Sequence, residues 1–121
     1  MSKRILVIED HEDNRQILRD LLGHAGYHMI EAETGEAGLA AAAAHKPDLI
    51  LMDIQLPGLD GYEATRRLKA DPALRSIPII VVTSYALSGD DAKARAAGCD
   101  AYVTKPYSPR HLLTKIREHL P

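Results

Sequence analysis

Five short apolar runs, separated by stretches of helical periodicity, constrain this chain more than any other feature. They are Ile5–Ile8 (ILVI), Tyr27–Ala32, Leu49–Met52 (LILM), Ile79–Val82 (IIVV) and Ala101–Thr104. Unbroken apolar runs this short predict strands buried on both faces, as in a parallel sheet. The second run is more polar and is expected at an edge. Between the runs, Ile17, Leu18, Leu21 and Leu22 are spaced to share one helix face, and Gly26 is placed to stop that helix. Thr34 can cap a helix through the alanines at 40–44 that stops before Pro47. Asp60 and Glu63 have capping-box spacing for a helix over Gly61–Ala70, with Pro72 ending it. Ser88 and Asp91 have the spacing of a further helix start, with Gly98 as its stop. Ser108 and Pro109 open the last helix, whose stripe is Leu112, Leu113, Ile116 and Leu120.

Strand and helix thus alternate five times. Short connections and right-handed crossovers then predict an α/β fold, a parallel sheet with helices on both faces. For five strands the expected order is 2-1-3-4-5, the flavodoxin-like arrangement. Strands one and three are neighbours there, and ligands bind beyond the carboxyl ends of the strands where the winding reverses. The 121 residues suffice for one core, and a lone cysteine excludes an internal disulfide. A net charge of −2 offers no electrostatic basis for binding nucleic acid or an anionic membrane. No apolar stretch is long enough for a signal peptide or a membrane span. The expectation is a single cytoplasmic domain over residues 1–121, with no second domain and no membrane insertion.

Four strand ends carry polar groups: Glu9 and Asp10, Asp53, Thr83, and Lys105. Each has an ordinary reading. Asp53, followed by the breakers Pro57, Gly58, Asp60 and Gly61, can simply cap a turn. Glu9 and Asp10 can favour a helix N-terminus, Thr83 suits a strand, and Lys105 can be a surface lysine pairing with Asp53. Their arrival together on one sheet edge favours a site. Glu9, Asp10 and Asp53 would crowd three like charges, and such a cluster calls for a cation. An all-oxygen, partly open site suits Mg²⁺. Beside it, Lys105 can neutralise the oxygens of a phosphoryl group on Asp53, and the Thr83 hydroxyl can donate to one of them. Aspartate serves as a phosphoryl acceptor, and the transfer needs mainly positioning and charge neutralisation.

These residues, in this order, resemble the response-regulator receiver domain of the CheY-like family. The resemblance covers essentially the whole chain and is closest to stand-alone receivers. It rests on Glu9-Asp10, on Asp53 within LMDIQLPGLDG, on Thr83 after IIVV, and on Lys105-Pro106. It implies a phosphoacceptor switch of a two-component system or phosphorelay, with no separate substrate and so no enzyme in the ordinary sense. Asp53 would take the phosphoryl group from a histidine kinase or a histidine phosphotransfer protein. Asp10 and Asp53 would ligate Mg²⁺ directly, Glu9 through water, and the Gln55 backbone carbonyl would be the third protein ligand. Thr83 and Tyr102 would be the switch pair, Lys105 would contact the phosphoryl group, and the Lys105–Pro106 bond would be cis. A downstream protein would read the state on the face made by helix four, strand five and helix five. Helix four, about Gly89–Ala97, offers only Ala92, Ala94, Ala96 and Ala97 for burial, so it is expected to be the most weakly held.

Some positions temper the match. Glu9 stands where the family often has aspartate, Ser84 adds a hydroxyl where Ala or another small residue is usual, and Gln55 and Tyr85 occupy variable positions flanking the site. His11 lies beside the acidic pair; histidines 24, 28, 45, 111 and 119 show no metal-ligand spacing. Three rival functions share parts of this pattern. A flavin-binding electron carrier needs a Ser/Thr/Gly-rich phosphate loop where this chain has EDHED. A haloacid-dehalogenase-type phosphatase needs Asp-x-Asp after the first strand, whereas here the candidate follows strand three and Gln55 takes the +2 position. A receiver-shaped scaffold that is never phosphorylated is opposed only by the intact Asp53/Thr83/Lys105 set.

Overall fold

The computed structural model describes residues 3–83, 90–105 and 107–120. Ser84, Tyr85, Ser88 and Pro106 lie outside the described residues, and with them the expected cis bond and the start of helix four. Among the described residues ten elements alternate: β1 (Arg4–Ile8), α1 (Glu12–His24), β2 (His28–Ala32), α2 (Gly35–His45), β3 (Leu49–Asp53), α3 (Gly61–Ala70), β4 (Ile79–Thr83), α4 (Asp90–Ala97), β5 (Ala101–Thr104) and α5 (Pro109–His119). The strands are parallel and lie in the order β2-β1-β3-β4-β5, as the alternation predicts.

Two apolar layers sandwich the sheet. Ile5, Val7, Leu49, Leu51, Ile80 and Val103 face α1 and α5. Leu6, Ile8, Ile50, Met52, Ile79 and Val81 face α2, α3 and α4. Consecutive residues of one strand enter opposite layers, which is why the central strands had to be apolar throughout. β2, at the edge, keeps His28 and Glu31 exposed.

Local signals set the element ends. The Thr34 hydroxyl accepts from the Ala37 N–H at 3.0 Å, and the Ser108 hydroxyl from His111 N–H at 3.0 Å. Asp60 accepts from the Glu63 N–H at 2.9 Å, but Glu63 turns its own carboxylate to Arg66 and Arg67, leaving the capping box half made. Gly26, just past α1, sits at φ 90°. At the start of α3, Gly61 presses against the Asp53 and Ile54 backbone, where a Cβ would collide with the Asp53 carbonyl. That close approach seats α3 directly behind the end of β3.

Two expected helix stripes need correction. On α1, Leu18 and Leu22 are buried, but Ile17 is 58 % exposed and Leu21 only half-buried. The helix turns Arg15 inward instead, at 5 % exposure. A four-residue apolar stripe spans more of the helix than one flat layer can cover, and an ion-pair network beside β2 holds the Arg15 edge down. On α4, Ala94 and Ala97 are buried while Ala92 and Ala96 face outward. Adjacent alanines on a helix lie about 100° apart, so they cannot share one narrow contact.

Candidate functional site

The β1–β3 register ends with Ile8 opposite Met52, so the next residues, Glu9 just past β1 and Asp53 at the end of β3, come side by side at the sheet edge. Asp10 lies one residue further out. β4 delivers Thr83, fully buried, and β5 leads to Lys105, whose backbone N–H donates to the Thr83 carbonyl at 2.6 Å. All of these belong to the carboxyl edge, and β1 and β3 flank the point where the winding reverses.

The Lys105 ammonium joins the strands. It donates to Glu9 Oε1 at 3.1 Å and reaches Asp53 Oδ2 at 3.5 Å. Glu9 is 3 % exposed and Asp53 5 %, so both carboxylates are buried with one shared cation. Glu9 is also held by the His11 backbone N–H at 3.0 Å and by the Asn14 amide at 3.1 Å. The Gln55 backbone N–H donates to Asp53 Oδ1 at 3.1 Å, fixing the acidic group against its own loop.

This environment drives the two carboxyls apart. Burial, then the neighbouring Glu9 charge, push Asp53 up to about 6, against the opposing pull of Lys105 and the Gln55 N–H. Burial pushes Glu9 up as well, but the His11 N–H and the Lys105 ammonium outweigh it and hold Glu9 at about 2. Glu9 therefore keeps its charge well below neutral pH, and Asp53 is the more basic of the two carboxylates.

The acidic residues fit a hard divalent cation. Asp10 Oδ1 is buried and has no hydrogen-bond partner among the described residues. The His11 ring Nδ1, 3.3 Å from Glu9 Oε2, stands 3.1 Å from Asp10 Oδ1, within reach of an ion pair. Ligand atoms of Glu9, Asp10 and His11 all lie within 4.8 Å of one another. The Glu9 and Asp10 carboxylate oxygens of this group suit Mg²⁺; the His11 nitrogen does not, and Asp53, expected as a direct ligand, is not among the three. Gln55 is exposed in the loop after β3. Tyr102 is half-buried in β5, on the layer shared with α4.

Three residues at the site escape sequence reading. Asn14 and Arg15 lie on α1, where polar residues normally mark the solvated face. Tyr107 lies two residues past Lys105. With Glu9, Asp53, Leu18 and Val82 it lines a cavity of about 10 Å³ beneath the carboxylates. Burial, then the charges of Glu9 and Asp53, raise its phenol, which stays neutral at that position. Only the juxtaposition of EDHEDNR with the strand ends could have flagged the first two.

The family model described as "Response regulator receiver domain" matches residues 5–117. The polar-differentiation response regulators DivK of Brucella ovis and Brucella abortus are 44 % identical over 120 residues, 99 % of this chain and 98 % of theirs. A receiver domain of a sensor histidine kinase from Pseudomonas aeruginosa, solved with magnesium coordinated in its active-site cleft, superposes with a TM-score of 0.92. It is 33 % identical and covers 99 % of this chain and 98 % of that one. A CheY-like receiver domain protein from Methanospirillum hungatei superposes equally, at a TM-score of 0.92, 34 % identity, and 99 % and 94 % coverage.

Proposed function

The chain belongs to the response regulator receiver domain family, and on that premise we propose that Asp53 is its phosphoacceptor in a two-component or phosphorelay pathway. One observation carries the reading: Lys105 bridges Glu9 and Asp53 at the mouth of the two strands that flank the winding reversal.

The chemistry follows from charge. An Asp53 carboxylate oxygen attacks the phosphorus of a phosphohistidine. The P–O bond forms, the P–N bond breaks, and its electron pair leaves with the donor imidazole. With its carboxyl raised only to about 6, Asp53 is mostly ionised at neutral pH and needs no general base. Lys105 is placed to follow the charge as it moves onto the phosphoryl oxygens. Thr83, at the end of β4, lies on the same edge to donate its hydroxyl. Asp10, Asp53 and the Gln55 carbonyl, with Glu9 through water, would hold Mg²⁺. The ion, when bound, neutralises phosphoryl charge.

The donor would be a histidine kinase or a histidine phosphotransfer protein. The readout would pass through Thr83 and Tyr102 to the α4–β5–α5 face. Arg95, Cys99, Tyr102, Lys115 and His119 line a cleft of about 620 Å³ there, a suitable seat for a downstream protein. The domain would promote its own phosphorylation and dephosphorylation without a separate substrate.

Incubation with acetyl phosphate and Mg²⁺, followed by intact mass measurement, tests this. Wild type should gain one phosphoryl group and lose the gain when EDTA is present. Undiminished labelling of Asp53→Asn would sink the assignment. Absence of labelling in wild type, with a phosphohistidine donor as well, would favour a scaffold that is never phosphorylated.

A further inference from the structure

Arg15 is a buried cation that the transfer chemistry above does not use. Its Nη1 donates to the Glu9 backbone carbonyl at 2.8 Å. Its Nη2 donates to Glu12 at 2.6 Å and to Glu33 at 3.1 Å, and its Nε lies 3.3 Å from Glu31. Those carboxylates come from α1, from β2 and from the loop that follows it, so three elements fix the plane of one guanidinium. The fourth contact is the peptide from which the chain turns out of β1 toward Asp10 and His11.

Glu9 has its N–H committed to the Ala32 carbonyl at 3.0 Å and its carbonyl to Arg15. With both ends of the residue held, the peptide that follows can leave in one direction only. That direction sets where the Asp10 carboxylate points and where the His11 N–H meets Glu9. We propose that Arg15 is a positioning residue, holding the Glu9–Asp10 turn in the geometry that gives the acidic cluster its affinity for a divalent cation. The inference rests on the cation reading given above.

Electrostatics gives the proposal a sign that a purely structural role lacks. Arg15 is positive and lies near an acidic cluster, so removing its charge alone would tighten cation binding. Positioning predicts the reverse. Arg19, one turn further along α1, supplies the control. It donates to Glu31 at 2.6 and 3.0 Å, to Gln16 at 2.7 Å and to Glu12 at 3.3 Å, and so shares the network without touching the Glu9 peptide.

The test is a Mg²⁺ titration of the full chain, read by NMR amide shifts, with folding checked by urea denaturation. Arg15→Gln should bind Mg²⁺ about tenfold more weakly, in line with other residues that orient metal ligands. Arg15→Lys, which keeps the charge but not the fork, should fall between it and wild type. Arg19→Gln should bind as wild type or slightly more tightly. Should Arg15→Gln fail to fold, Arg15→Lys against Arg19→Gln decides. Equal or tighter binding by the folded Arg15 variants overturns the proposal while leaving the cation site intact. No Mg²⁺ binding by wild type overturns the cation reading itself, and this inference with it.

Discussion

Asp53 is held against its own preference. Its carboxyl is raised from an ordinary 3.8 to about 6, so the folded state binds that proton more tightly than the unfolded chain does. The stabilisation from the protonated form is complete below pH 4 and is lost as the pH rises through about 6. At pH 7, without divalent cations, the ionised group therefore destabilises the fold, by about 1–3 kcal/mol for a shift of this size. Asp53→Asn should stabilise the protein by that order in urea denaturation with EDTA at pH 7. The gain should shrink toward zero at pH 4; a gain independent of pH would contradict the charge argument. Glu9, Asp53 and Lys105 were legible because each ends an apolar run, and a run's end has only one place to be in a parallel sheet. Arg15, Asn14 and Tyr107 were not, because their roles come from neighbours distant in sequence.

Among the elements, α1 separates pattern from packing. Periodicity grouped Ile17 with Leu18, but α1 buries Leu18 and Leu22, packs Leu21 only in part, and turns Arg15 inward while Ile17 stays exposed. Leu18→Ala should cost about 2–4 kcal/mol, whereas Ile17→Ser should change stability by no more than about 0.5 kcal/mol. Comparable losses would mean that Ile17 is covered in solution. α4 behaves differently. Its described inward contacts are Ala94 and Ala97, whereas α5 buries Leu112 and Ile116. At roughly 25 cal/mol per Å² of apolar surface, alanines hold a helix far more weakly than leucines. Amides of α4 should exchange with deuterium faster than those of Arg15–Leu22, and should slow or redistribute when a phosphoryl mimic is bound. Equal protection, unchanged by the mimic, would remove α4 as the moving part. That this helix offers only alanines for burial was legible from its composition, but which of them face inward depends on α3 and β5.

Taken whole, the molecule gathers its most crowded charges at the carboxyl ends of β1 and β3, in a sheet that α4 covers through Ala94 and Ala97 among the described residues. The order of strands followed from five alternations and a topological rule; the layer facing each helix followed from the unbroken apolar strands. Mg²⁺ that binds only the folded chain must stabilise it. Millimolar Mg²⁺ should raise the melting temperature of wild type, and Asp10→Asn should abolish most of the rise. An unchanged melting temperature would mean that Lys105 alone balances the cluster. Trapping the acyl phosphate shows whether Asp53 itself carries the phosphoryl group. After phosphorylation with acetyl phosphate and Mg²⁺, borohydride reduces an aspartyl phosphate to homoserine. Peptide mass mapping should then find homoserine at position 53 in phosphorylated wild type and nowhere in a sample without phosphodonor. Homoserine at position 10, 13 or 60 with aspartate intact at 53 would contradict the account.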